Sequence, residues 1–198
     1  MLLLVVTLCV YYGLHSFLAA SSIKKHLIQS QWLKKYYRII YNSIAVVGLL
    51  LVFYVYTLTE REAIWQTTIW TKILGLGGSF SGIWVIYQAM KGYAVREFLG
   101  LNEVSVDNSK EVSLQTVGFN SYVRHPLYFG TLLLVAGAFI LFPNTGTLAV
   151  AVLTVLYLLI GIQLEEKKLI QEYGQAYLDY QKQVPMLLPT GRKKKHVL

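Results

Sequence analysis

The chain has 198 residues, 55% of them hydrophobic and only 14% charged, with a mean hydropathy of +0.49 and a formal net charge of +8. That length suits one domain, and that balance excludes an ordinary water-soluble globule. The positive charge comes without a nucleic-acid-binding motif and suits basic loops at an anionic membrane surface, while the single cysteine, Cys9, leaves no intrachain disulfide framework.

Five apolar segments follow one another and predict an all-α polytopic membrane protein. The first is Met1 to Ala20, and the second runs from about Ile39 to Leu58. The third runs from about Ile69 to Met90 and carries Gly75, Gly77, Gly78 and Gly82. The fourth is Leu127 to Phe142 and the fifth Thr147 to Leu164. A spanning helix needs about 20 apolar residues, so the fourth is short, suited to a locally thin region or to packing against protein. The first segment has its basic residues after the apolar run, not before it, and is read as a span, not a cleaved signal. P-N-T-G at 143–146 has turn chemistry and predicts an antiparallel C-terminal helical hairpin.

Charge asymmetry orients these segments. Lys24, Lys25, Lys34, Lys35 and Arg38 follow segment one, and Lys91, Arg96, Lys110 and Arg124 follow segment three. Lys167, Lys168, Lys182, Arg192, Lys193, Lys194 and Lys195 follow segment five, whereas the opposite side holds only Arg61 and Lys72. The expected arrangement has the C-terminus in the cytoplasm and the N-terminus outside.

Beyond segment five comes L-E-E-K-K-L-I-Q-E-Y-G-Q-A-Y-L-D-Y. Leu169, Ile170, Tyr173, Ala176, Tyr177 and Tyr180 recur at helical steps there, predicting an amphipathic cytoplasmic helix. Gly174 is placed to bend or cap it, and V-P-M-L-L-P (184–189) stops further helix at Pro185 and Pro189.

The conspicuous stretch is Y-V-R-H-P-L-Y-F-G, Tyr122 to Gly130, where a cation and a titratable ring stand directly before an apolar run. The midpoint of positions 124 and 165 falls inside P-N-T-G, so folding the hairpin brings Arg124 and Glu165 to similar depth, with His125 and Glu166 beside them. Pro126 suits a first helical turn, whose free N–H groups attract anions. Two readings stand. Arg124 and Glu165 form an interfacial ion pair, or the zone binds a ligand. Two adjacent glutamates favour the second, because each buried charge costs about 2.5–3.5 kcal/mol on insertion scales and only one need pair with Arg124. A ligand positive at two points and negative at one fits, and S-adenosylmethionine has a sulfonium, an ammonium and a carboxylate. Carboxylates and aromatic faces such as Tyr122, Tyr128 and Tyr177 suit its cations, while Arg124 and the helix start suit its carboxylate. The four histidines, at 15, 26, 125 and 196, lack zinc-ligand spacing, so no metal is expected.

R-H-P-L-Y-F-G followed by L-E-E-K-K-L, Y-G-Q-A-Y and V-P-M-L-L-P resembles the membrane methyltransferases of the isoprenylcysteine carboxyl methyltransferase and phospholipid methyltransferase group, over about residues 122–189. L-H-S-F-L-A (14–19) and I-G-I-Q-L-E-E (160–166) look most like the bacterial methanethiol S-methyltransferases and NnrU-type proteins within it. The resemblance implies a multi-pass protein of the bacterial inner membrane that transfers methyl groups from S-adenosylmethionine. It implies that His125, Tyr128, Gly130, Glu165 and Glu166 line the cofactor pocket. G-L-G at Gly75–Gly77 resembles a glycine element for the cofactor, with close helix packing as the alternative. R-E-F-L-G-L (96–101) resembles another short element of the group.

Methyl transfer from a sulfonium needs alignment and water exclusion more than acid–base groups. Arg124 and Glu166 are the catalytic candidates in the C-terminal part. His15, in the first apolar segment, is a candidate on the acceptor side, with a helix–helix hydrogen bond as its other reading. A small or lipophilic acceptor entering from the bilayer is expected, first a thiol, then a prenylated cysteine carboxylate, then a phospholipid amine; membrane lipids are the remaining partner. Two other classes share these features. Membrane sterol reductases of related sequence use a nicotinamide dinucleotide but carry an R-D-E-like element where this chain has L-E-E. A non-catalytic scaffold or transporter predicts charges spread along a pathway instead of gathered on one face.

Overall fold

A computed structural model describes residues 1–27, 30–91 and 114–189. The R-E-F-L-G-L stretch and the R-K-K-K run (192–195) lie outside them. The protein is an all-α polytopic membrane protein. Its helices are α1 (Leu2–Ala19), α2 (Ser21–Leu27), α3 (Gln31–Leu58), α4 (Ile69–Met90), α5 (Pro126–Leu141), α6 (Thr145–Tyr173) and α7 (Gln175–Gln183), with a 3₁₀ turn at Gly118–Ser121. By length and composition Leu2–Ala19, Lys35–Leu58, Ile69–Met90 and Thr145–Tyr173 can cross a membrane, and Pro126–Leu141 is a shorter apolar helix. Val46, Val47, Leu49, Leu50, Leu51 and Phe53 of α3 are all more than half exposed. Such a run is tolerable where the surrounding solvent is lipid and every backbone group is satisfied within the helix.

Helix ends follow local chemistry, and this is where the expected segments shift. Segment two begins eight residues early, at Gln31, because the Ser30 hydroxyl accepts from Leu33 N at 3.3 Å and caps the helix ahead of its apolar part. α4 starts on a reciprocal cap, with Thr71 N donating to Thr68 Oγ1 at 3.2 Å and Thr68 N to Thr71 Oγ1 at 2.8 Å. Segment five extends to Tyr173, since E-E-K-K-L-I-Q-E contains only good helix formers. It stops where Gly174 takes φ +55, a left-handed conformation that glycine adopts without penalty. The expected amphipathic helix is thereby divided: Leu169, Ile170 and Tyr173 end α6, and Ala176, Tyr177 and Tyr180 belong to α7.

The chain gathers into two compact units. The first holds the described residues of Met1–Gln66 and Pro143–Leu153. Its core is Leu4, Leu8, Val52 and Val55, with Tyr11, Tyr12, Tyr56, Val150 and Leu153 packed on it. The expected turn at 143–146 is here. Asn144 Oδ1 accepts from Gly146 N and Thr147 N, both at 3.0 Å, to start α6. The loop after α3 is tied to the same turn, Ile64 N donating to Pro143 O at 2.8 Å and Thr145 N to Glu62 O at 3.0 Å.

The second unit holds the described residues of Thr67–Gly92, Lys110–Phe142 and Thr154–Leu198. In it α4 and α5 approach through glycines spaced seven apart, two helical turns, on each helix. A Cβ on Gly82 would stand 2.5 Å from Leu134 N and 2.6 Å from Gly130 O, and one on Gly75 would stand 2.9 Å from Gly137 O. Backbone atoms cannot yield, so the seam requires glycine. Gly77 meets nothing within 4 Å.

Gly82→Ala is therefore expected to cost about 1–3 kcal/mol through overpacking, while Gly77→Ala is neutral or stabilising by about 0.5–1 kcal/mol. Thermal denaturation of the two variants in detergent checks the contrast.

Candidate functional site

The site forms in the second unit around the carboxylate of Glu166, on the last turns of α6. Arg124 reaches it with a fork: Nε donates to Glu166 Oε1 at 2.8 Å and Nη2 stands 2.7 Å from the same oxygen. His125 Nε2 lies 3.1 Å from that oxygen, and the Tyr177 hydroxyl donates to it at 3.4 Å. Gln181 Nε2 donates to Oε2 at 3.1 Å. Arg124 and Glu166 side chains are only 11% and 17% exposed, so this is a largely desolvated pair, whose breaking by removal of one partner costs about 3–5 kcal/mol. The expected pair was Arg124 with Glu165. The observed partner is Glu166, because the helical rotation of about 100° per residue turns the two neighbouring carboxylates in different directions.

Arg124 has a second task. Its Nη1 donates to Gln181 O at 3.2 Å and to Val184 O at 2.7 Å. Gln181 lies in the last turn of α7, where carbonyls lack intrahelical partners and a cation is favourable. Val184 precedes Pro185, which holds it extended (φ −116, ψ 128), so its carbonyl leaves the helix direction and is free to accept. The backbone continues the join, with Arg124 N donating to Pro185 O at 2.9 Å and His125 N to Met186 O at 3.2 Å. The Tyr180 hydroxyl adds a 2.6 Å bond to Asn120 O. Tyr177, Tyr180 and Val184 are buried together beneath this join. Burial and then the charge of Glu166 push the Tyr177 phenol well above its ordinary value, so it stays a neutral O–H donor.

Glu165 stands differently. Its side chain is 43% exposed, and its approach to His125 Nδ1 is 3.7 Å. His125 is buried, stacks on Tyr128 with ring centroids 5.5 Å apart, and sits just ahead of Pro126 at the first position of α5. Arg124, His125, Tyr128, Glu165, Glu166 and Tyr177 thus come together as one cluster. No group of three or more His, Cys, Asp or Glu suited to holding a metal occurs among the described residues.

The remaining candidates fall elsewhere. Gly130 and Gly75 lie in the α4–α5 seam, Gly130 with Ile86 Cγ1 2.7 Å from where a Cβ would stand. Gly77 lies away from that seam, with open space beside it. Tyr122 is 56% exposed, with its ring 6.1 Å from that of Phe119. His15 belongs to the first unit, where the Tyr41 hydroxyl lies 2.9 Å from its Nε2, the helix–helix hydrogen bond that was one of its two readings. Tyr11, Leu14, Leu18, Ile44 and Ala45 surround that pair. Sequence reasoning missed Gln181 and the carbonyls of Val184, Pro185 and Met186. V-P-M-L-L-P was legible as a helix stop, and the signal it also carried is that chain held out of helix by proline has carbonyls to offer.

The NnrU protein family model matches residues 3–186. The chain is 42% identical over 88 residues to methanethiol S-methyltransferase of Crocosphaera subtropica, a match covering 42% of this chain and 32% of that protein. It is 43% identical over 83 residues to methanethiol S-methyltransferase of Pseudomonas deceptionensis, covering 41% and 30%. It is 33% identical over 132 residues to methanethiol S-methyltransferase 2 of Bradyrhizobium diazoefficiens, covering 64% and 49%. The matches span between about a third and a half of these curated relatives' own length. No solved structure matches the chain. A match that runs through all five apolar helices and the Arg124–Glu166 cluster alike makes this chain a member of the NnrU protein family.

Proposed function

We propose that the protein is a membrane methyltransferase that uses S-adenosylmethionine and methylates a small or lipophilic acceptor, first among them a thiol. The observation that carries the reading is the meeting of Arg124 and His125 with Glu165 and Glu166, which stand forty residues apart in the chain. The names of the curated relatives support methyl transfer to a thiol. The donor set fits the methyl donor. Glu165 offers a part-exposed carboxylate to a cation, the Tyr128 ring stacked on His125 offers an aromatic face, and the first turn of α5 offers N–H groups to a carboxylate.

S-adenosylmethionine supplies a methyl group already activated by its sulfonium. The tasks left to the chain are to bind, to orient and to exclude water. Glu165 favours positive charge at the open side of the cluster. His125, held through Nε2 by Glu166, presents a fixed ring edge on that side. The buried aromatic residues Tyr177 and Tyr180 close the inner side against water. A thiol acceptor reacts as its thiolate, which a nearby cation or base assists. In this reading the chain is one membrane domain of a bacterial inner membrane, with a cytoplasmic C-terminus that the count of sixteen basic residues against two supports.

Purified protein is expected to be stabilised against heat by S-adenosylhomocysteine and not by NADPH, by about 2.7 kcal/mol at a hundredfold excess over Kd. The reverse result moves the protein to the reductase class. Labelled S-adenosylmethionine supplied to membranes with a thiol, a prenylcysteine or a phospholipid amine ranks the acceptors. Methylation of a water-soluble polar acceptor alone contradicts entry from the bilayer. In a Cys9→Ser background, single cysteines at Asn144 and Lys194 are expected to react with impermeant reagent from opposite sides of the membrane, and reaction from the same side overturns the orientation.

A further inference from the structure

We propose that Glu166 and Arg124 are positioning residues, a pin that ties the segment Gln181–Met186 to the start of α5, and that Glu165 alone is the carboxylate that meets a cationic ligand. The proposal rests on the reading of this cluster as the binding site of a cationic methyl donor. It divides two adjacent glutamates that look equivalent in L-E-E.

Hydrogen-bond inventory separates them. A carboxylate has about four lone-pair sites. Glu166 receives Arg124 twice, His125 and Tyr177 on Oε1, and Gln181 on Oε2. Oε1 is fully engaged inside the protein and Oε2 is held by Gln181, so most of its acceptor capacity is used within the fold. Arg124 has five N–H donors. Two face Glu166, and Nη1 serves the carbonyls of Gln181 and Val184. Little of either charge remains for a ligand, and to recruit one the protein must break bonds that hold α7 and the 184–186 backbone. Glu165 is the opposite case. Among the described residues its one charged contact is His125 Nδ1 at 3.7 Å, beyond hydrogen-bond reach, and 43% of its side chain is open.

The pin acts on the ligand side through His125. The backbone of His125 is held by Met186 O and its ring by Glu166, so both the place and the tilt of the imidazole depend on the pinned segment. Tyr128 stacks on that ring and inherits its position. Loss of the pin therefore disorders the ligand-facing edge without removing any group that touches ligand.

The test uses the full chain in detergent, with S-adenosylmethionine as probe by calorimetric titration and S-adenosylhomocysteine, which lacks the sulfonium, beside it, and amide hydrogen exchange at Arg124 and His125 as a second readout. Those two amides report the pin directly, since they donate to Pro185 O and Met186 O. Glu165→Gln is expected to weaken binding about tenfold or more, the worth of one charge-assisted hydrogen bond, with unchanged Tm and unchanged exchange. Glu166→Gln and Arg124→Met are each expected to accelerate exchange and to weaken binding in step with it. Their double variant adds little in either readout, because one device has already been lost. Where Arg124→Met does not fold, Arg124→Lys keeps the charge without the fork and takes its place. Wild-type binding of S-adenosylmethionine by Glu165→Gln overturns the proposal, as does lost affinity in Glu166→Gln with wild-type exchange. Should the unaltered protein bind no S-adenosylhomocysteine, the methyl-donor reading fails, and exchange alone then judges the pin: wild-type exchange in both Glu166→Gln and Arg124→Met removes it.

Discussion

An ionised carboxylate taken out of water must find its compensation inside the protein, and Glu166 is the place where this chain meets that demand. Its five donors come from two stretches of sequence, Arg124 and His125 before α5 and Tyr177 and Gln181 on α7, brought to a carboxylate on α6. No hydrophobic contact could specify such an arrangement as narrowly, because apolar packing tolerates repacking whereas an unmet buried charge does not. This end of the second unit is thus held by geometry as much as by burial.

The same unit uses the opposite device along α4 and α5. Lipid is as apolar as a leucine side chain, so burying leucine drives helix association only weakly in a bilayer. Close backbone approach through Gly75, Gly82, Gly130 and Gly137 replaces it with dispersion contact. This seam fixes α5, and α5 carries His125 and Pro126 at its start. Two constraints of different kind, a polar cluster and a glycine seam, therefore bear on one helix that is itself too short to be a comfortable span.

For the proposed chemistry the useful consequence is asymmetry between neighbours. Glu165 and Glu166 are chemically identical and adjacent, yet one is bound by five donors within the fold and the other is open. A site for a cationic donor needs both properties at once, a rigid frame and an unspent charge. Helical rotation supplies them from two consecutive codons.

The membrane class, the apolar helices and the ends of most of them were legible in the residues, because hydropathy and capping are local properties. The cluster was also legible in outline, since a turn at 143–146 obliges residues near 124 and 165 to meet. What local pattern could not decide was partner identity. Arg124 pairs with Glu166 and not Glu165 because the azimuth of a helix depends on what it packs against, and that is set by the whole fold. For the same reason Gly75 stayed open between a cofactor glycine and close helix packing, and only the folded chain puts it with Gly130 in the α4–α5 seam. The role of V-P-M-L-L-P needed the tertiary structure most of all. Proline announces that its carbonyls are not used in a helix, but only the folded chain brings a guanidinium to them.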